Sequence, residues 1–241
     1  SIGVLNGIDR SIWDPTVDVQ IPLNYDADTI AKKEACKRGL LLEVGLTLEQ
    51  AREPIPLVGM VTRLTEQKGI SILTECLEGF IADGRMRFIM LGSGERRFEQ
   101  FFRDLSARYP DRVFVGVGYN EPFSHKIQSG SDLYLMPSKF EPCGLTQMFA
   151  LAYGTIPIVR AVGGLNDTVE EYDPITFSGT GVRFHRYTSE DLSKALDTGL
   201  RLYRKEPHWQ RIRANAMAKD FSIERTAEHY IDVFGWARER H

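Results

Sequence analysis

A carboxylate in a strand-to-helix turn is the first feature of this sequence that could do chemistry. Glu141 follows the apolar run 132–136, which is typical of a buried strand, and precedes the helical pattern 145–152. Pro142 and Gly144 punctuate the turn between the two patterns. Ligands of open α/β sheets bind at the carboxyl ends of the strands, and a helix N-terminus attracts anions such as phosphate. The turn is therefore either a pocket for a sugar phosphate or a nucleotide sugar, or an ordinary connection with a surface Glu.

Two cations follow another predicted strand, the continuous apolar run 57–61. Arg63 lies at the end of this strand, and Lys68 lies near the start of the next helical pattern. Arginine can bind phosphate oxygens through two parallel hydrogen bonds, whereas lysine acts as a point charge. Considered singly, each could equally be a solvated loop cation, but together at a helix N-terminus they suit a diphosphate.

Glycines and an aromatic residue mark further strand ends. Gly92 belongs to a Gly-x-Gly pair that lets a ligand approach the backbone, but Arg97 occupies the position of the third glycine in a dinucleotide fingerprint. Tyr119 either stacks on a nucleobase or is an ordinary core or surface tyrosine. A second glycine pair, 163–164, opens another helical pattern. The sequence contains no Gly-x-x-x-x-Gly-Lys-Ser/Thr loop, which argues against a P-loop NTPase.

The apolar runs predict an α/β fold with a Rossmann-like, doubly wound parallel sheet, because they alternate with helical patterns. The predicted strands are 57–61, 87–91, 112–115, 132–136 and 155–159, with a short sixth at 182–184. Pro157 lies inside the fifth run, which predicts an edge position or an early end for that strand.

Capping residues and helical periodicity predict the helices. A helix over 28–44 would start at Asp28 and expose its Lys and Arg side chains, and Asn120 would cap a helix from 121. The remaining helical patterns are 68–81, 95–108, 165–171, 189–203 with Ser189 as cap, 209–218, and 222–238 with Ser222 as cap.

The irregular opening region is predicted to pack on the sheet rather than to form a domain of its own. It has a short predicted strand at 4–9 and loops at 10–28 and 45–56. We therefore divide the chain into an opening segment, 1–56, a nucleotide-sugar-binding Rossmann-like domain, 57–221, and a C-terminal helix, 222–241.

Composition excludes several classes of protein. The chain has 241 residues, 42% of them hydrophobic, so it can bury a full core, and its net charge of −3 argues against binding nucleic acid through bulk charge. Its three cysteines form no Cys-x-x-Cys pair, which indicates a reducing compartment, and its five histidines have no metal-ligand spacing. No apolar run reaches the ~18 residues of a membrane span. The chain starts at Ser1 with no signal peptide, and if it is a fragment, any targeting segment has been lost.

Six strings taken together resemble the C-terminal domain of bacterial glycogen synthases and plant starch synthases, which are retaining glucosyltransferases with the GT-B fold. The strings are residues 5–9, 63–69, 141–147, 163–165, 167–169 and 220–222. The string Glu-Pro-Cys-Gly-Leu-Thr-Gln at 141–147 is highly specific in this setting. Phe149 occupies the position where many other GT-B enzymes have a second Glu, which favours the glycogen and starch synthase subgroup. Val162, Lys139 and Ile223 depart from the family pattern without removing an assigned site residue.

The resemblance implies a site for ADP-glucose that needs no metal and no other cofactor. The residues matching Arg63 and Lys68 bind the diphosphate and stabilise the leaving nucleotide, and the residue matching Glu141 contacts the transferred glucose. These three are the predicted catalytic residues. The predicted substrate-binding residues are Gly92, Tyr119 beside the adenine, and Cys143, Gly144, Leu145 and Thr146 along the glucose and the distal phosphate.

The resemblance also implies that the chain is one half of an enzyme. Nothing in it matches the Lys-x-Gly-Gly-Leu motif or the acceptor contacts of the family's N-terminal domain, to which the last helix of the family crosses back. We therefore expect the donor-binding half of an α-1,4-glucan synthase that extends the non-reducing end of glycogen or starch with retention. We expect little or no turnover without the other half. The expected partners are an α-glucan acceptor and that missing domain, in the bacterial cytoplasm or a plant plastid, with no nucleic acid or membrane.

Three alternatives stay open at this point. The chain could be a non-catalytic nucleotide- or glucan-binding module. It could also be a GT-B transferase that uses UDP-glucose. Cys143 could be redox-sensitive, since a helix N-terminus favours a thiolate, or it could be packed and supply only its backbone.

Overall fold

One parallel sheet of six strands organises the chain in the computed structural model, which describes residues 6–228, 230 and 231. The strands are β1 (Leu57–Val61), β2 (Arg87–Gly92), β3 (Val113–Val117), β4 (Leu133–Met136), β5 (Ile156–Arg160) and β6 (Val182–Phe184). Their order is β3-β2-β1-β4-β5-β6, and every neighbouring pair is parallel. The direction of winding reverses between β1 and β4, so a crevice opens there at the carboxyl ends. The predicted Rossmann-like, doubly wound fold is confirmed.

Helices cover both faces of the sheet. The α-helices are α1 (Lys33–Glu43), α2 (Leu48–Ala51), α3 (Ile70–Ala82), α4 (Arg96–Arg108), α5 (Glu121–Gly130), α6 (Thr146–Ala152), α7 (Gly163–Thr168), α8 (Ser189–Tyr203) and α9 (Glu206–Met217), and 3-10 turns span Ile30–Lys32 and Glu66–Lys68. Helices α3, α4 and α8 form one group, and α1, α5, α6 and α9 form another. Because both faces are covered, β1, β2 and β4 are buried along almost their whole length.

Pro157 does not mark an edge strand, which corrects the prediction from the sequence. Strand β5 pairs with β4 on one side and with β6 on the other. The amide of Ile156 donates to the carbonyl of Asp132, 2.9 Å away, on the β4 side. Successive residues of a strand direct their amides to opposite neighbours, so the missing N–H of Pro157 falls on the β6 side. Pairing with β6 starts only at Ile158, and the proline therefore interrupts no bond of the ladder.

Two predicted helix caps, Asp28 and Ser189, are wrong, because a neighbouring residue takes the role in each case. The carboxylate of Asp26 accepts a hydrogen bond from the amide of Thr29 at 2.8 Å, ahead of the 3-10 turn that leads into α1. The hydroxyl of Thr188 accepts a backbone hydrogen bond at 3.2 Å at the start of α8.

The other predicted caps are present. The side chain of Asn120 accepts a backbone hydrogen bond at 3.0 Å at the start of α5, and the hydroxyl of Ser222 accepts one at 3.3 Å. The predicted loop 45–56 contains the short helix α2, which begins with a capping box at Thr47. The predicted helix 165–171 is α7, which begins two residues earlier and ends three residues earlier.

The opening segment packs over α5 and α6. The indole of Trp13 is stacked on the rings of His125 and Phe149, with centroid distances of 3.6 and 3.9 Å. The hydroxyl of Tyr153 donates to Asp18 Oδ2 at 2.5 Å, His125 Nδ1 lies 2.8 Å from the same oxygen, and the amide of Gln20 donates to Oδ1 at 2.7 Å. These contacts fix the start of the described chain to the helix that follows the Glu-Pro-Cys-Gly turn.

Both ends of the chain lie partly outside the described residues. Of the predicted strand 4–9, residues 4 and 5 lie outside, and Ile8 forms an isolated parallel bridge with Ser222. The predicted helix 222–238 is helical at 223–228 and at 230–231, and its remainder lies outside the described residues.

Candidate active site

A cavity of about 380 Å³ opens at the carboxyl edge of the sheet, where the winding reverses. The ends of β1 and β4 and the turn between β4 and α6 line it. All three predicted catalytic residues, Arg63, Lys68 and Glu141, are among its lining residues. The fold therefore brings together charged side chains that are widely separated in sequence.

Glu141 is held in this cavity by two donors on the same oxygen. Lys68 Nζ forms an ion pair with Glu141 Oε2, and the hydroxyl of Ser138 donates to the same atom at 3.3 Å. The residue is only 6% exposed, so its charge would be costly without these partners. Within the part of the chain that the structure describes, no group donates to Oε1, which is the oxygen left for a ligand.

Arg63 differs from Lys68, because no described residue forms an ion pair or a hydrogen bond with its guanidinium. The residue is exposed and lines the same cavity. Its N–H donors are therefore available to an incoming oxygen anion. With two cations and one carboxylate, the cavity carries a net positive charge, which favours an anionic ligand.

The backbone segments that meet at the cavity are fixed to one another. The amide of Lys139 donates to the carbonyl of Gln67 at 2.8 Å, and the Gln67 side chain donates to the carbonyl of Phe140 at 3.3 Å. From the end of β5, Arg160 Nη1 donates to the carbonyl of Lys139 at 2.8 Å. The turn after β4 is therefore tied both to the segment after β1 and to β5.

Two glycines allow the close approach of these segments. Gly69 adopts a left-handed φ of 75°, and a side chain there would meet the carbonyl of Pro137. The amide of Gly164, at the start of α7, donates to the carbonyl of Glu141 at 3.1 Å, and a side chain there would meet the carbonyl of Cys143. The second glycine pair of the sequence thus packs against the turn that carries the carboxylate.

Three of the predicted substrate-binding residues, Gly144, Leu145 and Thr146, line the cavity. Leu145 is 41% exposed, and the hydroxyl of Thr146 lies 3.3 Å from Met136 Sδ. Helix α6 begins at Thr146, and the amides of Met148 and Phe149 already donate to the carbonyl of Leu145, whereas those of Thr146 and Gln147 have no acceptor among the described residues. The amide of Thr146, the residue of α6 that lines the cavity, is thus a second kind of donor beside the two cations.

The other three, Gly92, Tyr119 and Cys143, are not among the lining residues of this cavity. Gly92 is buried at the end of β2, where a side chain would meet the carbonyl of Thr62, so packing alone requires glycine there. Tyr119 is 82% exposed on the loop after β3. Cys143 is partly buried, and its carbonyl accepts a hydrogen bond from Gln147 at 3.1 Å. The roles assigned to these three residues stay predictions.

Two polar residues that line the cavity, Ser138 and Thr62, are not among the site residues predicted from the sequence. Ser138 lies three residues before Glu141, a spacing that lets two side chains of a tight turn meet. Thr62 directly follows β1, at the strand end that also leads to Arg63. Their positions next to predicted strand ends are the signal that could have identified them.

The described residues include neither a metal-binding cluster nor a membrane-spanning helix. Within 6–228, 230 and 231, no group of three or more His, Cys, Asp and Glu side chains could hold a metal ion. No helix in the same part of the chain combines the length and the apolar character needed to cross a membrane. The three cysteines are free thiols, of which Cys36 is buried.

A larger cavity, of about 480 Å³, lies at the opposite, amino edge of the sheet. Lys33 and Lys37 line it, and both are buried, which corrects the prediction that α1 exposes its basic side chains. Lys33 Nζ donates to the carbonyls of Gln128 and Ser129 at 3.1 and 2.7 Å, and to the hydroxyl of Thr155 at 2.7 Å. The acceptors come from the end of α5 and from the residue before β5, so helical periodicity could not predict them.

The two buried lysines have opposite electrostatic surroundings. Burial lowers the pKa of Lys33 to about 7. Burial also lowers the pKa of Lys37, but the charge of Asp132, together with Tyr203, Glu34 and the hydrogen bond to Asp132, outweighs burial and raises that pKa to about 12. Lys37 Nζ lies 2.7 Å from the Asp132 carboxylate and donates to the carbonyl of Ile55 at 2.9 Å. Both ammonium groups have their partners within the protein, which is typical of a structural role.

A family model for glycosyl transferases group 1 matches residues 49–218. The chain belongs to this family. It is 42% identical to a glycogen synthase of Koribacter versatilis, over 98% of this chain and 48% of that protein. It is 45% identical to glycogen synthase 1 of Geobacter metallireducens, over 98% of this chain and 46% of that protein. Among solved structures, this glycosyl transferase superposes on the catalytic domain of starch synthase IV from Arabidopsis thaliana bound to ADP and acarbose, with a TM-score of 0.87. The two sequences are 35% identical, and the superposition covers 97% of this chain and 48% of that one.

This group 1 glycosyl transferase spans about half the length of the curated relatives that it matches. Its parallel sheet with flanking helices is a Rossmann-like half of the GT-B fold. The predicted fold and the predicted relationship to glycogen and starch synthases are confirmed.

Proposed function

We propose that this chain is the donor-binding half of a retaining α-1,4-glucan synthase, which transfers glucose from ADP-glucose to the non-reducing end of glycogen or starch. One observation carries the proposal: Arg63, Lys68 and Glu141 converge on one cavity at the carboxyl edge of the sheet. The relatives support the same activity, since they are glycogen synthases and a starch synthase.

In this proposal, Arg63 and Lys68 bind the diphosphate of the donor. They stabilise the negative charge that develops on it as the bond to the glucosyl group breaks, and preorganised cations do so without rearrangement in the transition state. Arg63 binds two phosphate oxygens at once, and Lys68 adds a point charge. The side chains of the protein itself meet the charge, and we propose that the reaction needs no metal and no other cofactor.

Glu141 contacts the transferred glucose through Oε1, the oxygen that no described group occupies. A carboxylate accepts hydrogen bonds from sugar hydroxyls. Its negative charge also favours the oxocarbenium-like charge that develops on the glucosyl ring during transfer.

The remaining assigned residues complete the proposed donor site. Tyr119 is 82% exposed, so its ring is free to stack on the adenine. Gly92 stays assigned as a position of close backbone approach. The contacts to the glucose and the distal phosphate are proposed for Cys143, Gly144, Leu145 and Thr146.

The acceptor side of the cleft belongs to the part of the enzyme that this chain does not contain. The chain covers 48% of a curated relative's length, which leaves room for a second domain. We propose that an α-glucan acceptor and that second domain complete the site, and that this half alone turns over little or not at all. The bacterial sources of the curated relatives favour the cytoplasm over a plastid.

A calorimetric titration of the protein with ADP, and separately with UDP, tests the donor site. We expect ADP to bind more tightly than UDP. Arg63→Ala should weaken ADP binding about tenfold or more, because a hydrogen bond to a charged group contributes ~1.5–3 kcal/mol. Arg63→Lys should recover part of that loss, since it keeps the charge without the two parallel bonds.

Arg103→Ala, on the exposed face of α4, is the matched control and should leave ADP affinity unchanged. A folded protein that does not bind ADP contradicts the donor site. Tighter binding of UDP would instead indicate a transferase that uses UDP-glucose.

Turnover by the complete enzyme tests the role of Glu141 and separates a synthase from a non-catalytic binding module. We expect Glu141→Ala to lower the rate of glucose transfer by about a hundredfold or more while the fold is retained. A complete enzyme that transfers no glucose would support the binding module. Near-normal transfer by the variant would remove Glu141 from the reaction.

A further inference from the structure

Ser138 differs from the other buried serines and threonines of the described chain in the group to which its hydroxyl donates. It is 1% exposed, and its hydroxyl donates to Glu141 Oε2 at 3.3 Å. Ser129 and Thr155, which are also buried, donate to backbone carbonyls instead. A serine with a purely structural role in a turn bonds to nearby backbone groups. The bond of Ser138 is directed at a side chain of the proposed donor site.

The backbone on either side of Ser138 is held in place. Pro137 packs against Gly69, where there is no room for a side chain. The amide of Lys139 donates to the carbonyl of Gln67 at 2.8 Å. The hydroxyl is therefore presented to the carboxylate from a rigid backbone, and little conformational freedom is lost in making the bond.

When a nucleotide-sugar donor is bound, two negatively charged groups compete for the ammonium group of Lys68. Without a ligand, its partner is Glu141 Oε2. A diphosphate carries more negative charge than a carboxylate, so it attracts the ammonium group away from Glu141. Glu141 then keeps a buried charge whose ion pair is weakened, which is costly. In the described part of the chain, Ser138 is the donor that remains on that carboxylate.

We propose that Ser138 is a positioning residue, which holds the carboxylate of Glu141 in place while Lys68 turns to the diphosphate of the donor. The inference rests on the proposed function, because it requires a diphosphate at Lys68. The hydrogen bond from Ser138 becomes stronger in the ligand-bound state, since the carboxylate has lost part of its ionic compensation. Glu141 Oε2 keeps its hydrogen bond from Ser138, and Glu141 Oε1 stays directed at the sugar.

ADP binding measured by calorimetry across a double-mutant cycle tests this coupling. Ser138→Ala should weaken ADP binding about fivefold, because the bound state then leaves a buried carboxylate without its donor. In a Glu141→Gln background, the same substitution should change ADP affinity by less than about twofold, because no buried charge needs to be held. A serine that merely stabilises the turn would weaken binding equally in both backgrounds, and equal losses overturn the proposal.

Ser138→Thr retains a hydroxyl and should keep most of the ADP affinity, whereas Ser138→Cys, with a weaker donor, should bind less tightly than Ser138→Thr. This comparison replaces the alanine variant if that variant does not fold, and equal affinities of the two overturn the proposal. Ser129→Ala is the matched control: its buried hydroxyl bonds to the carbonyl of Lys126, and its loss should leave ADP affinity unchanged.

Failure of the donor site has a different signature from failure of this inference. If the unaltered protein does not bind ADP, or if Lys68→Met binds it equally well, both proposals are overturned. If ADP binds and Lys68→Met weakens it, but Ser138→Ala has no effect, only the role of Ser138 is overturned.

Discussion

The two edges of the sheet both place lysines in a cavity, but they use them differently. At the amino edge, Lys33 donates to three oxygens, and Lys37 is bound to a carboxylate, a carbonyl and a phenol. At the carboxyl edge, the partner of Lys68 is the Glu141 carboxylate, and Arg63 has no partner among the described residues. The amino-edge cavity is the larger, at about 480 against 380 Å³. The carboxyl-edge cavity, our candidate donor site, is therefore distinguished by donors that are still available, and not by its volume.

The balance of charge separates the two cavities further. The charged residues that line the amino-edge cavity are Lys33, Lys37 and Arg213, with Glu34, Asp132 and Glu206. Arg213 keeps a buried Nε without a hydrogen bond in the described chain, but its guanidinium lies 5.5 Å from the ring of Trp209. Equal numbers of positive and negative charges give an anion no net attraction. The carboxyl edge, with two cations and one carboxylate, does attract one.

The largest effect that this comparison predicts is on stability at the amino edge. Lys37→Met leaves the buried carboxylate of Asp132 without its counter-ion, so the free energy of unfolding should fall by ~3–5 kcal/mol. Denaturant unfolding measures the loss. ADP affinity at moderate temperature should stay within about twofold of the unaltered protein. Lys32→Met, on an exposed side chain of the same segment, should cost little, and adding Asp132→Asn to Lys37→Met should restore part of the stability. Equal losses from Lys32→Met and Lys37→Met would contradict the structural role.

Lys68→Met, the matching substitution at the carboxyl edge, should affect ADP affinity more than stability, which is the reverse of Lys37→Met. Lys68→Met removes a cation from the diphosphate, so ADP binding should weaken by about tenfold to a hundredfold, equivalent to ~1.5–3 kcal/mol. The free energy of unfolding should fall by less than in Lys37→Met, because the Lys68 side chain is 17% exposed against 3% for Lys37, so water screens its ion pair more. Calorimetry and denaturant unfolding on the same samples measure the two effects. If Lys68→Met lost as much stability as Lys37→Met and kept its ADP affinity, the proposed difference between the two edges would be contradicted.

Tyr119 extends the comparison to the nucleoside end of the proposed donor. Tyr119→Ala should weaken ADP binding about tenfold, because stacking of a base on an aromatic ring contributes ~1–3 kcal/mol. Tyr119→Phe keeps the ring and should bind ADP normally. Since the side chain is 82% exposed, neither change should alter stability. Binding of inorganic pyrophosphate is the control that lacks a base, and an equal loss of pyrophosphate binding would contradict stacking.

The smallest effect concerns Lys33 at the amino edge. Its pKa is lowered by burial from 10.5 to about 7, so between these pH values the unfolded chain binds more protons than the folded one. Stability attributable to Lys33 should therefore rise with pH, by ~1 kcal/mol between pH 7 and 8. Denaturant unfolding of the unaltered protein and of Lys33→Met at each pH gives this contribution as a difference. A difference that does not change with pH would mean that Lys33 keeps its proton in the fold.

Much of the fold and the charged part of the site could be predicted from the sequence. Buried parallel strands such as β1 and β4 are continuous apolar runs, which require no knowledge of distant residues. The carboxyl ends of parallel strands meet at one edge, so Arg63, Lys68 and Glu141 could be placed together from their positions after those runs. The sequence therefore predicted best where chemistry follows directly from local pattern and topology.

The sequence was a poor guide to features that depend on contacts with distant residues. Lys33 was expected to be exposed, because its acceptors lie 95 to 122 residues further along the chain. Pro157 wrongly indicated an edge strand, because the sequence does not show that β5 pairs with β6 only from Ile158 onward. The position of Ser138 beside a predicted strand end marks it as a candidate, but its contact with Glu141 depends on the orientation of a side chain within a turn. Adjacent candidates such as Thr188 and Ser189 cannot be separated by residue type, since both favour a cap.

Hydrogen exchange with and without ADP tests most directly whether the donor site is at the carboxyl edge. ADP should slow exchange of backbone amides in the segments 62–69 and 138–147, which carry the two cations and the carboxylate. It should leave exchange unchanged at 30–37 and 203–213, around the larger amino-edge cavity. Protection at the amino edge, with none in the segments that carry Arg63, Lys68 and Glu141, would contradict the account.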